Sequence, residues 1–143
     1  AGCDVVTDMT NPLEVHMGQI AKTAFSGTGS TAAEQDFSIK LENCPTTVAK
    51  ASVLFSGPNV NGDNEKLELT GAGTDPDVAE GVALQLVDGS NNNTLPLFTR
   101  STSLNIPATG KIDLPFRVRY IQTDTTVVAG KADGSANFTI SYN

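Results

Sequence analysis

The sequence predicts an all-β protein, and more narrowly an antiparallel β-sandwich of immunoglobulin-like arrangement. Apolar residues recur at every second position in short runs, the period of a strand with one buried face. Between these runs lie clusters of Gly, Asn, Asp, Ser and Pro, the residues that turns need for positive φ or for side-chain bonding to the backbone. No segment keeps a helical period over three turns, so nothing supplies the crossover helices of a parallel sheet. With 143 residues and 38% hydrophobic content, one domain spanning residues 1–143 is expected.

The strands follow in order. Leu13, Val15 and Met17 alternate in "PLEVHMG", Phe37, Ile39 and Leu41 in "DFSIKLENC", and Val53 and Phe55 in "SVLFSG". Leu67 and Leu69 alternate in "EKLELTG", Val82, Leu84 and Leu86 in "GVALQLVDG", Leu104 and Ile106 in "TSLNIP", and Phe116, Val118 and Tyr120 in "LPFRVRY". The stretches "SGTGSTA", "SGPNVNGDN", "GAGTDPD", "DGSNNN" and "VVAGKADGS" read as the turns between them. The eighth strand is "SANFTISYN", with Ala136, Phe138, Ile140 and Tyr142 on one face and only Asn143 after it. A chain that stops on a core strand leaves open what lies along that strand's other edge.

Several function classes are disfavoured. A net charge of −7, with nine Lys and Arg spread along the chain, offers no basic stripe for a phosphate backbone, so nucleic acid is not an expected partner. No apolar run reaches the roughly 18 residues needed to span a bilayer, and "AGCDVV" is not a signal peptide, so a mature chain that is not membrane-inserted is expected. Cys3 and Cys44 are the only thiols and His16 the only histidine, which undersupplies a zinc site. A disulfide in an oxidising compartment is the better reading, two free buried cysteines the alternative; a bridge would be worth about 4 kcal/mol in the chain-entropy model.

No catalytic or cofactor motif is present. His16 alternates with Val15 and Met17 and should face solvent; there is no Gly-x-Ser-x-Gly, phosphate-loop lysine or His-Glu-x-x-His. "NVNGDNEKLELT" starts like a calcium loop but has Asn64 where Gly is required and Thr70 where a bidentate Glu belongs. Asp75 and Asp77 read as a solvated turn, and the glycosylation triplets at Asn92 and Asn137 carry a high false-positive rate. No enzyme, cofactor or metal site is expected.

The pattern of strands resembles the subunits of bacterial chaperone–usher pili, of the type 1 and P pilus kind, over nearly the whole chain. The matching pieces are "CDV", "VHMGQI" from Val15, "FSIKLENC" closing on Cys44, "VLFSG" from Val53, "GVALQLVDG" from Gly81 and "FRVRY" from Phe116. Such pilins carry a penultimate aromatic and a glycine fourteenth from the C-terminus; here these are Tyr142 and Gly130. The family's single disulfide corresponds to Cys3 and Cys44.

The resemblance implies an incomplete immunoglobulin-like sandwich that lacks its final strand and is completed by a donor strand in trans. A periplasmic chaperone fills the groove first and holds the C-terminal carboxylate; at the outer-membrane usher the N-terminal extension of a neighbouring pilin subunit replaces it. The chain would then end up in an extracellular fimbrium after transit of the periplasm. On this basis Ala136, Phe138, Ile140, Tyr142 and Asn143 are expected on one wall of the groove, Val5 and Val6 on the facing strand, and Gly130 near the base, where a residue without Cβ leaves room.

Polymerising subunits carry alternating apolar residues before the first cysteine, whereas only Ala1 and Gly2 precede Cys3. Truncation is the expected reason; proteolytic cleavage, or the pilin domain of a two-domain tip adhesin, are the alternatives. A self-sufficient secreted β-sandwich that binds a ligand through its loops is the rival class.

Overall fold

The computed structural model of the chain describes residues 2–6 and 10–143. Among them are a single 3₁₀ turn, Lys22–Ala24, and strands β1 (Asp4–Val5), β2 (Leu13–Val15), β3 (Gln19–Ile20), β4 (Thr31–Glu42), β5 (Lys50–Ser56), β6 (Asn59–Val60), β7 (Asp63–Leu67), β8 (Val82–Asp88), β9 (Asn93–Thr94), β10 (Leu104–Asn105), β11 (Ile112–Gln122), β12 (Gly130–Lys131) and β13 (Gly134–Tyr142). One large sheet runs β1-β4-β11-β8-β7-β6 with β9 on β8; a second runs β10-β5-β13-β2; β3 and β12 form a small third. All of these pairings are antiparallel.

Alternation sets the register of each long pair, because a one-residue slip would turn the apolar set outward. Phe37 lies opposite Phe116 and Ile39 opposite Leu114 on β4 and β11, while Phe138 faces Phe55 and Ile140 faces Val53 on β13 and β5. Both sets point into the space between the sheets. There the rings of Phe37, Phe55 and Phe116 meet with centroids 5.1 to 6.2 Å apart, in two edge-to-face contacts and one stack.

The sequence period accounts for the longer strands but not for the short β1, β3, β9 and β12, of which β12 lies within the stretch "VVAGKADGS" expected as a turn; three further differences follow. "SGPNVNGDN" is a hairpin rather than a loop: Val60 pairs with Asp63, and Asn61 and Gly62 between them both have positive φ, 52° and 80°, as a tight two-residue turn requires. Strand β4 begins at Thr31, inside the stretch read as a turn, and carries a bulge. Val118 pairs with Gln35 but Tyr120 with Ala32, and exposed Ala33 takes the extra place at φ 55°. Finally, β8 is buried along all seven residues, so its alternation is hidden from solvent; Gln85 on its outer side accepts a hydrogen bond from Arg119 Nε at 2.8 Å.

Candidate functional site: an open strand edge

Strand β13 has β5 along one edge from Asn137 to Tyr142. Its other edge is served in pieces. Gly134, Ser135 and Ala136 pair with Val15, Glu14 and Leu13 of β2, so the main-chain edge at Ala136 is closed by the chain's own strand. At Phe138 a side chain takes over. Asn11 Nδ2 donates to the Phe138 carbonyl at 2.9 Å, and the Phe138 N–H donates to Asn11 Oδ1 at 3.1 Å.

Both main-chain groups of a strand residue point to the same edge, and the edge alternates residue by residue. Since Phe138 points away from β5, so do Ile140 and Tyr142. Among the described residues no strand pairs with either on that edge. Their side chains face inward. Ala136 and Phe138 are 3% and 6% exposed, whereas Ile140 and Tyr142 are only partly buried, so the wall becomes more open toward the end of the strand.

Val5 and Val6 lie on the opposite sheet. Val5 pairs with Leu41 and packs on the core, and the Val6 N–H donates to the Lys40 carbonyl at 3.0 Å. The disulfide Cys3–Cys44 ties this short strand to the segment after β4. Tyr142 bridges the sheets at this end: its hydroxyl donates to the Cys3 carbonyl at 3.4 Å, and its ring lies so close over Gly2 that a Cβ there would overlap it. Farther along the flank, a cavity of about 150 Å³ opens between β2 and β4 over Leu13, Val15, Phe37 and Val118, with His16 and Asp36 among its polar lining.

The remaining expected site residues have partners of their own. Gly130 is on β12, opposite Ile20, and a Cβ there would lie 2.6 Å from the Asp77 carbonyl oxygen and 2.7 Å from the Ala79 nitrogen. Close backbone approach requires this glycine. The main-chain oxygen of Asn143 accepts the N–H groups of Ala49 and Lys50 at 2.8 and 3.1 Å. His16 faces solvent with its side chain 73% exposed, 3.4 Å from Glu14. Asp75 is taken up within its own turn, where the N–H of Asp77 and then Lys131 hold its carboxyl below the ordinary range. Among the described residues no group of three or more His, Cys, Asp or Glu side chains is placed to hold a metal.

Sequence reasoning missed Asn11 and the pairing of β2 with β13. An Asn before a Pro reads only as a turn signal, and nothing in the alternation of "PLEVHMG" says which strand it will join. What the arrangement offers is recognition: donors and acceptors on an incomplete ladder, beside an apolar flank.

The family model for fimbrial proteins matches residues 1–143. The probable major fimbrial subunit LpfA of Escherichia coli O157:H7 is 34% identical over 98% of this chain and 76% of its own length. Among solved structures, the type I fimbria protein BPSL1626 of Burkholderia pseudomallei superposes with a TM-score of 0.72 at 33% identity, over 99% of this chain and 90% of the other. The CupB6 tip adhesin of Pseudomonas aeruginosa gives 0.72 at 25% identity, over 98% of this chain and 38% of that one. With its antiparallel β fold matching these relatives, the chain belongs to the fimbrial protein family, as a structural pilus subunit.

Proposed function

We propose that the open flank accepts an extended apolar strand from another polypeptide, first a periplasmic chaperone and then, at the outer-membrane usher, the N-terminal segment of a neighbouring subunit. The observation that carries this is the edge at Ile140 and Tyr142, where main-chain groups facing away from β5 meet no strand among the described residues while the side chains lean on the core. An added strand supplies the missing ladder bonds, and its inward side chains cover Ile140, Tyr142, Val5 and the flank over Phe37. About five such side chains at roughly 2 kcal/mol each give on the order of 10 kcal/mol, comparable with the stability of an ordinary domain. A linkage of that magnitude is strong enough to hold successive subunits of a surface fimbria together.

The test is a pair of substitutions against a ten-residue peptide of alternating apolar side chains. Ile140→Asp puts a charge beside the partly buried flank and should weaken peptide binding about 100-fold or more. Ser141→Asp, whose main chain faces β5 and whose side chain lies on the other face, should change it less than about threefold. Equal effects of the two, measured by titration calorimetry on folded variants, would remove this flank as the acceptor.

The likeness to a much longer tip adhesin favours a second reading, in which the same acceptor forms the pilin domain of a two-domain adhesin. The sequence encoded upstream of Ala1 separates them: an alternating strand marks a polymerising subunit, a preceding domain an adhesin.

A further inference from the structure

We propose that Asn11 is a side-chain placeholder for the absent strand, which an incoming strand must expel before it can bond Phe138. A carboxamide presents one acceptor and one donor side by side, as a strand residue's backbone does. Asn11 uses both on one residue, accepting from the Phe138 N–H at 3.1 Å and donating to its carbonyl at 2.9 Å. The β2 ladder stops at Ala136, and Phe138 is the next residue whose main chain points to that edge. Asn11 therefore extends the closure of β13 by one ladder position without extending the strand. Beyond it, at Ile140 and Tyr142, no strand follows among the described residues.

The consequence is competition at a single residue. Bonds an arriving strand makes to Phe138 replace bonds already made, so their net gain is far smaller than at an unserved position. Asn11 thus lowers the rate and affinity of strand uptake, and it masks part of an edge that would otherwise pair with any exposed strand. This inference rests on the acceptor reading above.

Wild type, Asn11→Ala and Thr10→Ala are compared for binding of a fluorescent ten-residue peptide with alternating apolar side chains, and for hydrogen exchange at the Phe138 amide. Asn11→Ala should raise the association rate and the affinity at least about fivefold, the effect of losing two competing hydrogen bonds in part offset by water. In the free variant the Phe138 amide should exchange faster than in wild type, and in both peptide complexes it should be protected. Among the described residues Thr10 donates to the Pro12 carbonyl, at 3.2 Å, and not to Phe138, so Thr10→Ala controls for loosening of the segment and should match wild type. Should Asn11→Ala fail to fold, Asn11→Ser, too short to make both bonds, serves the same comparison. Wild type that binds the peptide, together with an Asn11 variant of unchanged rate and unchanged Phe138 exchange, overturns the placeholder. Wild type that prefers neither the in-register peptide nor one shifted by a residue overturns the acceptor reading instead.

Discussion

Asp88, at the end of β8, is 4% exposed and still reads as a carboxylate. Burial pushes its pKa up, but the Ser90 hydroxyl at 2.6 Å and the N–H groups of Thr102 and Ser90, each at 2.9 Å, together outweigh it and hold the group below the ordinary carboxylate range. A pKa depressed by folding adds stability above the unfolded value of about 4, and that stability is lost as pH falls through the lower folded value. Asp88→Asn replaces one acceptor by a donor facing donors. It should cost about 1 to 3 kcal/mol at pH 7 in urea unfolding, with the gap to wild type narrowing below about pH 4. A gap independent of pH would contradict the assignment. At this scale the sequence showed residue types but not partners: "DGSNNN" reads as a turn, and nothing in it shows that Thr102 closes the carboxylate's shell. Alternation did place His16 in solvent and the apolar side of β13 inward.

Strands were legible because their period is local, and their pairing was not because pairing is decided by residues far apart. Phe37, Ile39 and Leu41 announced β4, yet its start at Thr31 depends on a bulge in which Ala33 adopts φ 55°, a conformation that alanine does not advertise. The resemblance singles out Gly130 as a residue near the base of a groove, whereas the close backbone approach that it permits is decided by tertiary structure. Strand β12 passes against Asp77–Ala79, where Lys131 N–H donates to the Asp77 carbonyl and Ala79 N–H to the Lys131 carbonyl, each at 2.8 Å. A methyl group cannot enter between these backbones without separating them. Gly130→Ala should destabilise by about 2 kcal/mol or more in denaturant unfolding, and exchange of the Ala79 amide should quicken. Ala33→Gly, in an exposed left-handed position, should instead stabilise by about 0.5 to 1 kcal/mol, since glycine holds that conformation without strain. Unchanged unfolding midpoints in both variants would show that neither approach nor bulge is strained by a side chain.

Taken whole, the molecule is two main sheets and a small third around a shared core, with one flank whose edges are served by unlike devices: a short β2 ladder, one carboxamide, and a tyrosine reaching across to Cys3. The disulfide sits beside that flank and joins the segment bearing Val5 and Val6 to the segment following β4. Replacing both cysteines by serine should cost about 4 kcal/mol in the loop-entropy model, read as a lower unfolding temperature; an unchanged temperature would show that the bridge contributes nothing there. The fimbrial family was readable from the order of short motifs, whereas the partly closed state of the flank was not, because it depends on which edge β2 joins. On the proposed function, the sandwich is incomplete and gains its full stability from an added strand. Scanning calorimetry with two peptides tests it most directly, one with its alternating apolar set in register and one with that set moved by a single residue. The unfolding temperature should rise with the concentration of the first peptide, and most of that rise should be lost with the second. A protein equally stable with and without the in-register peptide would contradict it and mark the fold as complete in itself.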